Sequence, residues 1–343
     1  VKRAFALVRP PGHHAMRVVH GIRGFCVINI EAIMVAYLRQ KYGVRKIAIV
    51  DTDVHHGDGT QDIFYQDPDT LYIAYHQNGR TLYPGTGFPN EAGSPAALGT
   101  NINLPLLPGT GDEGVHRLFD GIIRPILDDF EPEIIINSAG QDNHFSDPLA
   151  SMSVTAQGYA RLADKLKADI AVLEGGYSVG AALPYVNTGI ILAMAEMDYS
   201  NVIEPDQTGL RKQDEKCNAR VDELIRQIGD LWTNRQKLSS DALAKCGESW
   251  SRRKNIYYDE EGISEEQVET AHYCKQCNGY LTIQTAAENT RFGSQSAFIV
   301  IVDQCTCQAC RQKAYDEALK KKKTGKWQHV FVQDKSQGNI ENI

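Results

Sequence analysis

Three short apolar runs constrain this chain most, because each stops at residues suited to metal or proton chemistry. Ile47-Ala48-Ile49-Val50 leads into Asp51-Thr52-Asp53-Val54-His55-His56-Gly57-Asp58-Gly59. Ile134-Ile135-Ile136-Asn137 leads into Ser138-Ala139-Gly140-Gln141-Asp142, and Ile170-Ala171-Val172-Leu173 into Glu174-Gly175-Gly176-Tyr177. Short continuous apolar runs bounded by Gly and charge are the pattern of strands covered on both faces. Helical spacing over 31–41, over 114–130 with Pro125 interrupting, and over 155–167 alternates with them. Strand–helix–strand repetition predicts an α/β domain with a mostly parallel sheet and helices on both faces. Ligands bind beyond the carboxyl ends of such strands. Asp53, His55, Asp142 and Tyr177 are therefore expected to converge on one crevice.

Asp53 and His55 are two apart, so in extended chain they point to the same side. With Asp142 they supply two carboxylates and one imidazole. Three protein ligands leave a tetrahedral zinc one open position for water, the catalytic rather than the closed structural pattern. His13-His14 follows Arg9-Pro10-Pro11-Gly12, again just after a strand-like run, and paired histidines are either ligands or a general base and acid. Asp51 and Asp58 are the spare carboxylates, and two His with two Asp suggest two hydrogen-bonded pairs. Tyr177, after two glycines, offers a phenol that either packs or stabilises an oxyanion.

Taken together, these motifs resemble the zinc-dependent histone deacetylase family, including its bacterial and archaeal members and the acetylpolyamine amidohydrolases. The matching stretches are Arg9-Pro10-Pro11-Gly12-His13-His14-Ala15, Gly24-Phe25-Cys26, residues 51–60, Tyr83-Pro84-Gly85-Thr86-Gly87, Ser138-Ala139-Gly140-Gln141-Asp142 with Asp147-Pro148-Leu149, and Leu173-Glu174-Gly175-Gly176-Tyr177. The resemblance covers roughly residues 1–235. It implies an arginase/deacetylase-type fold and hydrolysis of an N-acetylated amine, with zinc on Asp53, His55 and Asp142. It implies that His13 pairs with Asp51 and His14 with Asp58, that His14 carries the proton, and that Tyr177 binds the carbonyl oxygen. Phe25 and Tyr83 would wall a narrow tunnel for a lysine-like chain, with Gly24 and Leu149 at its edge. A potassium ion near the main-chain oxygens of Asp51, Asp53 and His55 is also implied, although Ala74 stands where many members carry a Ser ligand. Ile30 replaces the usual Asn or Asp after Asn29. The family has more chain ahead of Arg9-Pro10-Pro11-Gly12, so the chain, which opens at Val1 within a strand-like run, reads as amino-terminally truncated.

Downstream, five of the eight cysteines lie between residues 274 and 310. Cys274-x-x-Cys277 and Cys307-x-x-Cys310 bracket strand-like stretches at 280–285 and 297–302, the pattern of a zinc ribbon with structural zinc on Cys274, Cys277, Cys307 and Cys310, Cys305 being the alternative to Cys307. The organisation expected is a catalytic domain over 1–238, a charged linker over 239–269, the ribbon over 270–318, and a Lys-rich segment with a polar tail over 319–343. The ribbon is expected to engage a protein partner. A net charge of −7 speaks against a nucleic-acid-binding body. No apolar stretch is long enough for a membrane span and no secretory leader is seen, so a cytoplasmic protein is expected. The expected substrate is an acetylated lysine of a protein or a small acetylated amine. The competing expectations are an acetylpolyamine amidohydrolase, a two-metal ureohydrolase-like enzyme of the same fold, and a non-catalytic acyl-lysine-binding relative.

Overall fold

The three apolar runs become neighbouring strands of one sheet. The structure, a computed structural model, describes residues 2–291 and 293–343. The chain divides into two units, one comprising residues up to Arg17 and Phe25–Ser239, the other Val18–Gly24 and Ser240–Ile343.

In the first unit, strands β1 (Ala4–Ala6), β2 (Ile47–Asp51), β3 (Thr70–Gln77), β4 (Asn101–Leu106), β5 (Ile134–Ala139) and β6 (Ile170–Leu173) form a sheet in the order β1-β6-β5-β2-β3-β4. Every pairing is parallel. The chain lays β3 and β4 outward on one flank of β2, then returns to place β5 on the other. This reversal opens a crevice at the carboxyl ends of β2 and β5. All residues of β2, β3 and β4 are buried, which explains runs without polar alternation.

The flanking helices are α1 (Ile30–Tyr42), α2 (Asp58–Phe64), α3 (Asp112–Leu118), α4 (Arg124–Phe130), α5 (Ala156–Leu166), α6 (Leu183–Met194) and α7 (Glu215–Cys246). Asn29 caps α1 by accepting from the Ala32 amide at 2.9 Å, and Thr155 caps α5 by accepting from Gly158 at 3.0 Å. Each such cap contributes about 1 kcal/mol. The helix expected over 114–130 is two helices joined by a π-helical turn at Phe119–Ile123. Pro125 sits in the first turn of α4, directly after that π-helical turn. On α7, Val221, Leu224, Ile228 and Trp232 enter the main core.

The second unit corrects the expected domain plan. In place of a linker over 239–269, α7 continues to Cys246, and β7 (Ser249–Tyr258) and β8 (Ile263–His272) follow as a ten-residue antiparallel pair. They join β9 (Tyr280–Asn289), β10 (Gly293–Val302), β11 (His329–Asp334) and β12 (Asn339–Asn342) in one six-stranded sheet. The inward face of β8 is polar: Glu265, Gln267 and Glu269 are buried there. Tyr258 donates to Glu265 at 2.7 Å, and Arg252 donates to Glu269 at 2.6 Å. Paired polar groups can be buried, and a charged inward face hides the apolar alternation that marks a strand.

The Cys-rich segment therefore does not stand alone as a ribbon over 270–318. The lysines at 320–323 close helix α8 (Gln308–Lys323), and the expected polar tail contains β11 and β12. Phe298, Val300 and Val302 of β10, Ala314 and Ala318 of α8, and Val330 and Val332 of β11 build an apolar core. The unit thus has more than metal to hold it. The four expected cysteines still converge, their sulfurs within 4.8 Å of one another. The Gln276 amide donates to Cys274 Sγ at 3.4 Å, and the Gly279 amide to Cys277 Sγ at 3.3 Å. The Gln276 amide and the Cys310 thiol hold the Cys274 thiol down at about 6, in the range where it is readily a thiolate ligand. A second sheet carrying a four-cysteine cluster fits a zinc-ribbon-like unit.

Candidate active site

Asp51 closes β2, and the chain beyond it carries Asp53 and His55 toward the end of β5. His55 Nδ1 lies 3.1 Å from Asp53 Oδ1 and 3.0 Å from Asp142 Oδ2. Each carboxylate has its other oxygen held by the main chain: Gly175 N–H donates to Asp53 Oδ2 at 2.7 Å, and Val54 N–H to Asp142 Oδ1 at 2.8 Å. The remaining oxygens are thereby aimed at one point. Gly140 and Gly175 are required here, since a Cβ on either would strike the carboxylates of Asp53 or Asp142. All three acidic and imidazole groups are buried.

The charge balance of this cluster calls for a cation. Burial opposes a charge on His55, yet hydrogen bonds to Asp142 and Asp53 raise it to about 10. Burial and the neighbouring Asp53 push Asp142 up to about 7. Burial also opposes the Asp53 charge, but His13 and His55 hold that carboxyl below the usual range. Two carboxylates and one imidazole around a shared point form the donor set of a three-ligand zinc site, and the residues fit a divalent cation.

The two histidine pairs expected from the sequence are present. His13 Nδ1 is 3.1 Å from Asp51 Oδ2, and His14 Nδ1 is 2.7 Å from Asp58 Oδ1. Their environments push the rings apart in basicity. Burial favours neutral His13, but Asp53, Asp51 and Glu174 outweigh it and raise its pKa. Burial and the charge of His13 lower His14 to about 4 despite Asp58. A neutral imidazole beside a charged one is a base beside an electrostatic partner.

Tyr177 is positioned by its backbone. Its N–H donates to Asp147 Oδ2 at 2.7 Å, and Arg9 donates to the Gly176 carbonyl at 2.8 Å. Burial and the charges of Asp53 and Asp142 raise the phenol, so it stays protonated as a donor. The Phe25 ring lies edge-on to Tyr177 at 5.8 Å, and the Tyr83 ring edge-on to His14 at 5.1 Å. Leu149, half-exposed, donates its amide to Asp147 on the same turn that holds Tyr177. Gly24 groups with the second unit, its amide donating to Asp259 at 3.1 Å.

Sequence reasoning missed several buried groups here. Tyr72 donates to Asp51 Oδ2 at 2.8 Å, yet in an apolar strand it reads only as a core aromatic. Glu174 accepts from the Gly12 and His13 amides at 2.8 and 3.1 Å. An acid directly after the apolar run of β6 is the signal for it. Glu31, buried in the first turn of α1, gave none.

Residues 1–193 match the family model described as the histone deacetylase domain. A probable deacetylase of Archaeoglobus fulgidus is 51% identical over 214 residues, spanning 60% of this chain and 58% of that protein. The chloroplastic histone deacetylase 10 of Oryza sativa is 45% identical over 175 residues, spanning 51% of this chain and 39% of that protein. The crystal structure of the HDA15 HD domain superposes with a TM-score of 0.59 at 33% identity, covering 71% of this chain and 66% of that one. The chain thus spans less than two thirds of the length of these curated relatives.

Proposed function

The chain belongs to the histone deacetylase family, and from that premise we propose that it hydrolyses the acetyl amide of a lysine side chain with a zinc-activated water. The observation that carries this reading is the convergence of Asp53, His55 and Asp142 at the β2 and β5 ends, with His14 and Tyr177 around them. Asp53, His55 and Asp142 hold the zinc, which when bound polarises the amide carbonyl and acidifies water toward a pKa of about 7. His14, kept neutral, accepts the proton of the attacking water and passes it to the leaving amine. Asp58 fixes the His14 tautomer, and His13, charged against Asp51, balances the negative cluster. Tyr177 donates to the carbonyl oxygen as it gains charge. Phe25 and Tyr83 form apolar walls suited to an alkyl chain ending in an amide, with Leu149 at the rim.

Potassium near the Asp51, Asp53 and His55 main-chain oxygens is part of this proposal. Ala74, which pairs with Asp51 across β2 and β3, offers it no hydroxyl. A cytoplasmic setting is proposed too: no disulfide joins the described cysteines, as expected in a reducing compartment. No helix among the described residues is long and apolar enough to cross a membrane.

The test is turnover followed by mass spectrometry on acetyl-lysine peptides, longer acyl-lysines and acetylpolyamines. Release of free lysine and acetate is expected to be fastest on the acetyl peptides. Faster turnover of acetylpolyamines would replace the substrate assignment, and binding of a hydroxamate with no turnover of any substrate would reduce the protein to a binding module.

For the second unit we propose structural zinc on Cys274, Cys277, Cys307 and Cys310, and a protein partner as its ligand. Cys274→Ser is expected to remove that zinc and lower the melting of the second unit, because structural zinc binding is folding free energy. Hydrolysis of a small acetyl-lysine substrate is expected to survive. Calorimetry and metal analysis check this, and unchanged zinc content would refute the cluster.

A further inference from the structure

Behind His13 lies a pair of fully buried acids that the proposed chemistry does not use. Glu31 comes from the first turn of α1 and Glu174 from the residue after β6, and both are 0% exposed. One oxygen of Glu174 is engaged with the amides of Gly12 (2.8 Å) and His13 (3.1 Å). Among the described residues, no N–H or O–H of another residue reaches the other oxygen of Glu174 or either oxygen of Glu31. The two carboxyls meet each other instead. The other titratable groups facing them are His13 from the 12–14 turn, Asp51 from the end of β2, Tyr72 from β3, and Cys26. With both acids ionised, three carboxylates would share one buried region with a single imidazolium. Two carboxylates in one buried site do not both ionise near neutral pH.

We propose that Glu31 and Glu174 share one proton and act as positioning residues for His13 and His14. The shared proton bridges two of these three oxygens, one from each acid. It lets Glu174 keep its grip on the two amides that carry the histidine pair. Burial raises both carboxyls above their usual range, consistent with a proton retained at neutral pH. Loss of that proton in alkali would set the two carboxylates against each other and loosen the turn that carries both histidines.

The positioning role rests on the assignment of His14 as proton carrier; the shared proton does not, and the experiment separates the two. Infrared difference spectra of the zinc-loaded full chain are expected to show a protonated-carboxyl band that persists between about pH 6 and 8 and vanishes in both Glu31→Gln and Glu174→Gln. Because the pair binds its shared proton more tightly when folded, its contribution to stability is complete below the unfolded Glu value. It is lost as pH rises toward the raised folded values. Glu31→Gln is expected to flatten that decline.

Turnover then tests the positioning. Glu31→Gln, which still offers Glu174 a donor, is expected to stay within about threefold of wild type at neutral pH and to lose the alkaline fall in activity. Glu31→Ala is expected to lower kcat about tenfold with KM and zinc content unchanged. A wild-type protein without the band, a band that survives in Glu31→Gln, or a stoichiometric alkali cation lost from that variant would overturn the shared proton. Equal kcat in Glu31→Ala and wild type would overturn the positioning role. A wild type inactive on every amide would refute the proposed function and leave the infrared result to decide the proton.

Discussion

Asp142→Ala is expected to abolish amide hydrolysis and to reduce bound zinc from about two equivalents to about one, the survivor being held by the cysteines. Asp142 is grouped with Asp53 and His55 at the β2 and β5 ends among the described residues, and the proposal makes each of the three a zinc ligand. It also accepts from the Val54 amide at 2.8 Å and faces His55 at 3.0 Å. Its removal therefore leaves a buried N–H unsatisfied, at about 1–3 kcal/mol, and takes away the carboxylate that orients the imidazole. Asp142→Asn is the sharper control, since it keeps the amide contact and the volume while removing the charge. Metal analysis before and after dialysis against a chelator separates loss of zinc from loss of fold. If the Asp142→Ala protein binds as much metal as wild type, the three-residue assignment fails.

Tyr177→Phe is expected to lower kcat by about 10²–10³-fold, the usual cost of one oxyanion donor. The backbone anchors of this residue do not involve its hydroxyl: Asp147 takes its N–H, and Arg9 takes the carbonyl of Gly176. The ring and its edge-on contact with Phe25 at 5.8 Å are kept, so the fold and zinc content should not change. Hydroxamate affinity should fall only modestly, because a zinc chelator depends less on this hydroxyl than the reacting carbonyl does. Turnover equal to wild type would mean that Tyr177 serves packing alone. A rise in KM with kcat unchanged would mean that the hydroxyl binds the ground state as strongly as the transition state.

Much of the first unit is legible in the residues because its chemistry is local to strand ends. A strand buried on both faces needs an unbroken apolar run, and the break in that run marks where the sheet stops and the crevice begins. Asp53 and His55 lie just past such a break, as do Asp142 and Tyr177. The two histidine pairs were readable for the same reason: two adjacent imidazoles need partners, and Asp51 and Asp58 flank the ligand motif.

The second unit was misread because its strands do not follow the simplest pattern. On β8 the buried face includes Glu265 and Glu269, which accept from Tyr258 and Arg252 of β7, and Gln267, which donates to Glu265 on the same strand. Period-two alternation survives in burial but not in hydropathy, so the stretch reads as a solvated linker. Val18–Gly24, far upstream, is part of this unit, with His20 Nε2 3.0 Å from Thr285 Oγ1 and Tyr258 donating to the Val18 carbonyl at 3.0 Å. No local signal marks a contact across more than two hundred residues.

The apolar strands, the order in which they alternate with helices, and the donors at their ends can be read from the residues, since these depend on periodicity and neighbours in the chain. Which buried acids meet is a matter of packing. Glu31 and Glu174, or Tyr72 and Asp51, are individually unremarkable residues on separate elements. They become a shared-proton pair and an oriented carboxylate because the parallel sheet and α1 bring them together out of water, where an unmatched polar group is too costly to leave alone.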